Sequence, residues 1–293
     1  MLIRFGYEIK FNLSAPTPMV LLLSPHPSVV GNLLSPESIQ TEPSIQLHTC
    51  IDTFGNEATR LLATAGELRL FYNAVMQDSG QPDIVARHAE QWTVDRLPDD
   101  VLPFLLDSRY CEVELLIDIA WKLFGSTNPG WDRVQAICEW VNVNVEFGYK
   151  YARNTRTALD VYNERRGVCR DFTHLAVTLC RAMNIPARYC NGYLGDIGIP
   201  PDPSPMDFNA WFEAYLGGQW YTFDARHNIP RIGRILVSRG RDAKDTAMTT
   251  SFGLHDLKQF TVWTDEVDYN NGTEMGMTVL TEPSTLVSSG SSR

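Results

Sequence analysis

The sequence lacks a CxxC pair, an HExxH helix and any clustered His/Cys spacing. Zinc and iron–sulfur centres draw on such patterns, so neither a metal nor another cofactor is expected. No stretch approaches the roughly 18 uninterrupted apolar residues of a membrane-spanning helix, so no membrane partner is expected. Basic residues are in deficit: 25 Lys and Arg stand against 35 Asp and Glu, a formal charge of −10. Phosphate binding needs a basic surface, so no nucleic-acid partner is expected either. The opening MLIRFGYEIKFNL has neither an apolar core of signal-peptide length nor a small-residue cleavage site; it alternates, as a strand does. The 6 cysteines have no regular spacing and read as mostly buried free thiols of a reducing compartment, which makes a cytoplasmic location the expectation. No internal repeat is present.

What is there is ordinary globular composition: 293 residues, 44% hydrophobic and 20% charged, enough for one large domain or two modest ones. Residues 1–90 hold strand-like runs punctuated by Pro, Gly and Asn. A linker is expected near 88–108. Helical spacing follows at 110–125, 131–147, 157–167 and 169–184, with Thr157 or Asp160 opening the third helix and Gly167 ending it. Strands return with ARYCNGYLG, a proline-rich loop, and FNAWFEAYLGGQWYTFDARHN, a hairpin turning on Gly217-Gly218. The stretch 226–241 carries Arg226, Arg231, Arg234, Arg239 and Arg241 with no acid. It either binds an acidic substrate or pairs with the acidic remainder of the chain, the second reading being favoured. The Ser-rich tail is expected to be disordered.

Chemistry concentrates in GVCRDF, residues 167–172. Cys169 falls at the first turn of a patterned helix, where unpaired N–H groups and the dipole favour an anion. With Arg165, Arg166 and Arg170 close in sequence, the thiol pKa is expected to be depressed, as a nucleophile requires. The backbone N–H of Cys169 is a candidate oxyanion donor. Asp171 reads as a carboxylate favouring the helix dipole, and Cys180 as packing. In the hairpin, a two-residue turn at Gly217-Gly218 pairs Leu216 with Gln219, Tyr215 with Trp220, Glu213 with Thr222 and Trp211 with Asp224. Residues 209, 211, 213 and 215 then share a face with 220, 222, 224 and 226, and position 209 lies diagonal to Asp224 at roughly 7–8 Å. Trp211 and Tyr193 are candidates for cleft walls or for core.

The GVCRDF segment and the hairpin together resemble the transglutaminase-like superfamily, whose fold is related to papain-like cysteine proteases. The resemblance covers most of residues 1–240. It implies an α+β fold: an N-terminal antiparallel β-domain over 1–95, a core over 96–270 with a nucleophile helix packed on an antiparallel sheet, and a C-terminal extension over 271–293. It implies a cysteine peptidase, amidase or acyltransferase working through a thioester on a peptide or protein substrate, an acidic one if the arginine strip binds it. Cys169 maps to the family's nucleophile and Asp224 to its orienting carboxylate. The family's histidine, in a D-F-H-A-W pattern, maps to Asn209, which has no basic nitrogen but can hydrogen-bond Asp224. A laboratory substitution, a loss of catalysis, or a relocated base would each account for it. His227 is the candidate substitute and His174 a weaker one; His255 has no tie to the site. The alternative to an enzyme is a catalytically inactive binding module that keeps the fold and the cleft.

Overall fold

The computed structural model describes residues 1–35, 37–203 and 205–267; the expected extension over 271–293 and its Ser-rich tail lie outside them. The α+β class holds. Six strands come first: β1 (Leu2–Leu13), β2 (Thr17–Leu21), β3 (Gln40–Glu42), β4 (His48–Ile51), β5 (Glu57–Ala63) and β6 (Gly66–Gln77). In β1 the alternation seats Ile3, Phe5, Tyr7, Ile9, Phe11 and Leu13 on one buried face. The expected linker region folds into short 3-10 turns at Val94–Arg96 and Asp99–Leu105, where Leu97 and Val101 pack on Tyr215.

Helices α1 (Val113–Phe124) and α2 (Trp131–Asn144) follow, then β7 (Glu146–Phe147), α3 (Ala158–Glu164), β8 (Arg166–Gly167) and α4 (Cys169–Ala182). Thr157 caps α3, accepting from the Asp160 N–H while Asp160 accepts from the Thr157 N–H. Arg165, at φ 57°, closes α3 in the left-handed region, so Gly167 is not its terminator. Gly167 is glycine for another reason: a Cβ there would stand 2.5 Å from the Asp171 Cβ.

Strands β9 (Ala187–Leu194), β10 (Asn209–Leu216), β11 (Gln219–Phe223) and β12 (Arg234–Gly240) form one antiparallel sheet in the order β11-β10-β9-β12. Its helix side contributes Ala187, Phe212, Ala214 and Leu216 to one core; Tyr193, Ile235 and Val237 join the core of the N-terminal sheets. Every residue of β9 is buried as a result. The chain ends its described part by returning to the start: β13 (Thr249–Ser251) pairs with β2, and β14 (His255–Val267) runs antiparallel along the whole of β1. Among the described residues no helix is long and apolar enough to cross a membrane.

Candidate active site

Cys169 opens α4 and Asp171 fixes that opening. The Asp171 carboxylate is fully buried; Oδ2 accepts from the Val168 N–H at 3.0 Å and from Arg156 Nη1 at 3.0 Å. Asp171 is therefore an anchor for the helix start, more than the dipole-favouring carboxylate expected from the sequence. Cys169 is half-buried as a residue, and the backbones of Ala210 and Arg170 are among the influences that favour its thiolate. The helix start thus looks across at the first residues of β10.

The thiol is not depressed. Burial pushes it up to about 11, with Asp207 adding to the rise and Arg226 and those two backbones opposing it. The reason is where the neighbouring arginines go. Arg165 lies over the Trp140 and Tyr162 rings, Arg166 faces Glu164 and the Tyr151 ring, and Arg170 bonds Asp171 and the Arg153 carbonyl. The cation that acts most on the sulfur is Arg226, 57 residues away in sequence.

The hairpin has the expected register: Leu216 pairs with Gln219, Tyr215 with Trp220 and Glu213 with Thr222. Gly217 and Gly218 hold φ of 57° and 94°, the two positive values a tight hairpin turn needs. The ladder ends at Phe212–Phe223, so Asp224 stands just beyond it and does not pair with Trp211. Asn209 does not reach Asp224. Its Oδ1 accepts from Arg226 Nη1 at 3.2 Å, and its Nδ2 donates to the Asp207 and Leu194 carbonyls at 3.3 and 3.4 Å. The same guanidinium stands over the Phe147 ring, 3.8 Å from its centre.

Asp224 serves other partners. Its Oδ1 accepts the N–H groups of Arg226 and His227, both at 3.0 Å. Its Oδ2 engages His227 Nδ1 at 2.8 Å and Arg234 Nη2 at 2.9 Å. Burial alone would raise this carboxyl; Arg234 and then His227 hold it well below the usual carboxylate range. Strict alternation would turn His227 away, but the chain leaves the strand at Asp224, and Asn142 Nδ2 pins the resulting turn by donating to the Ala225 and Arg226 carbonyls. The histidine therefore folds back onto its own aspartate. His174 is elsewhere: it is fully buried, stacked on Tyr110, accepts the Ala243 N–H on Nε2, and burial holds it well below the ordinary histidine range. His255 lies exposed on β14 beside Phe11.

Two site residues were not singled out from the sequence. Asp207 and Tyr149 share the electrostatic surroundings of Cys169 and Arg226. Burial raises the Asp207 carboxyl to about 6, against the Phe208 N–H and Arg226. Asp207 opens the DFNAW stretch, so its position was visible; its burial was not. Tyr193 lies in the core against Phe5 and Phe208, and Trp211 is covered by Arg234; neither is an open cleft wall. Of the arginine strip, Arg231, Arg234 and Arg241 are in ion pairs with the chain's own acids. A cleft of about 470 Å³ lies behind Asp224, lined by Asp83, Trp131, Gln135, Glu139 and Asn228 among others, and Cys169 is not part of its wall. Among the described residues no group of three acid, histidine or cysteine side chains is placed to hold a metal.

Comparison with known proteins matches residues 118–225 to the family model of the transglutaminase-like superfamily, a span that contains Cys169, Asn209 and Asp224 and stops before Arg226 and His227. The fold is similar to a crystal structure described as a putative cysteine protease from Cytophaga hutchinsonii: 31% identity, TM-score 0.79, 92% of this chain and 91% of that one. An uncharacterized protein of Mycobacterium leprae is 26% identical over 222 residues, 71% of this chain and 77% of the relative.

Proposed function

The chain belongs to the transglutaminase-like superfamily, and from that premise we propose that it is a cysteine acyl-transfer enzyme acting on amide or peptide bonds. The observation that carries the reading is the placement of Cys169: half-buried as a residue, at the first position of α4, packed across from β10 and within the field of Arg226. Cys169 attacks the carbonyl carbon, its proton passes to a base, and that base returns the proton to the leaving amine as the C–N bond breaks. Water or an amine then attacks the thioester and releases the thiol. His227 is the proposed base and Asp224 its orienter; the 2.8 Å contact on Nδ1 leaves Nε2 for proton transfer. With a thiol near 11, only about one molecule in 10⁴ is thiolate at pH 7. Proton removal therefore has to accompany attack, as it does for a serine nucleophile.

Arg226 supports an acidic substrate. It sits beside the sulfur and, among the described residues, forms no salt bridge. The free cysteines support a reducing, cytoplasmic setting.

One observation favours a second reading, the inactive binding module: Asn209 holds the position of the family's base and is tied to Arg226 instead of Asp224. Incubation with a peptidyl amide library, with Cys169→Ala as control, separates the two. Turnover lost in Cys169→Ala and reduced at least tenfold in His227→Ala supports the enzyme. Turnover that arises only after Asn209→His supports the module.

A further inference from the structure

Asp83 belongs to the segment between β6 and the first helix and is anchored on two sides. Its backbone N–H donates to the Arg231 carbonyl at 2.9 Å, and its Oδ2 accepts the Arg231 N–H at 2.9 Å. Arg234 Nε donates to both carboxylate oxygens, at 3.2 and 2.9 Å. The same guanidinium turns Nη2 onto Asp224 Oδ2 at 2.9 Å. The side chains are nearly dry: 7% exposed for Arg234, 3% for Asp224 and 16% for Asp83. The Arg234 guanidinium lies 5.1 Å from the Trp211 ring centre.

A planar fork between two carboxylates has its orientation fixed by both. Arg234 has little else to hold it: its Nη1 is buried without a hydrogen-bond partner. If Asp83 is removed, the guanidinium keeps only Asp224 and the ring face, and its reach to Oδ2 is no longer determined. Asp224 Oδ2 is the atom that also holds His227 Nδ1, so any drift of Arg234 is felt at the imidazole.

We propose that Asp83 and Arg234 are positioning residues for the Asp224–His227 pair, which makes the segment after the N-terminal sheets part of the active-site support. The proposal rests on reading that pair as orienter and base. Burial opposes ionisation of Asp224, and Arg234 is the strongest influence keeping it ionised.

The test is carbon NMR titration of the Asp224 carboxyl in Asp-labelled full-length protein, for the wild type, Arg234→Gln and Asp83→Ala. In Arg234→Gln the proton affinity of Asp224 rises at least tenfold. Asp83→Ala discriminates positioning from mere proximity. Removing a negative neighbour lowers the proton affinity of Asp224 by Coulomb's law. Releasing Arg234 raises it. The proposal requires a rise; an unchanged or lowered affinity in Asp83→Ala overturns it, as does an unchanged affinity in Arg234→Gln. If Arg234→Gln does not fold, Asp83→Ala, at the outer end of the network, decides alone. The titration involves no chemistry at Cys169, so a protein without acyl-transfer activity can still pass it, and an active one can fail it.

Discussion

Cys169 was legible because the GVCRDF segment at the head of a helical stripe is joined by the DFNAW hairpin; a lone cysteine opening a helix would more often be structural. Its acidity was not, because it depends on side chains that the chain brings in from far away. Sequence neighbours supplied three arginines, and each is engaged with a ring, a carboxylate or a carbonyl. Alkylation by iodoacetamide is therefore expected to inflect near 11, well above a free thiol's value of about 8.5. Arg226→Ala should move the inflection up and Asp207→Asn should move it down, following the sign of each charge at the sulfur. Asp207 also leaves a mark on stability. Its folded-state pKa of about 6 exceeds the ordinary 3.8, so the folded protein holds this proton more tightly than the unfolded chain. Its contribution is present below about pH 4 and is lost as pH rises to 6. Denaturant titration of wild type and Asp207→Asn at both ends of that window checks it: wild type should lose stability relative to the variant on going up.

At the scale of elements, the hairpin was read to the residue because two adjacent glycines allow one turn and strand alternation does the rest. The same reasoning ran one pair too far, since nothing local says that the ladder stops at Phe223. It also assigned Gly167 to a helix end, where Arg165 takes the left-handed conformation. Close approach to Asp171 is what excludes a side chain at 167. Gly167→Ala should push Asp171 off the Val168 N–H and Arg156, leaving a buried ion pair broken. A loss of about 3 kcal/mol, read by chemical denaturation, is expected from the cost of separating such pairs. Thr157→Ala, which removes only the cap of α3, should cost about 1 kcal/mol. The contrast between the two tests whether the start of α4 is held more tightly than that of α3.

Across the whole molecule, the order of a β-rich part followed by a helical core was visible in composition and periodicity. The contact between its ends was not: β14 lies along β1 from Leu2 to Leu13, a pairing more than 240 residues apart in sequence. No local pattern specifies such a partner. β14 covers one edge of β1 while β6 covers the other, so deleting residues 255–267 should leave a twelve-residue edge strand open and promote self-association. Light scattering of the shortened chain, compared with the full one, would show it. The sheet that carries Asn209 is also fixed from both faces, by α4 on one side and the N-terminal core on the other. This sandwich is what keeps β10 opposite the Cys169 sulfur. The measurement that bears most directly on the acyl-transfer reading is the intact mass of the protein after brief exposure to an activated peptidyl ester. One acyl group on Cys169, absent in Cys169→Ala and slower to form in His227→Ala, is the predicted result; no acylation of the wild type under conditions where Asn209→His is acylated would contradict it.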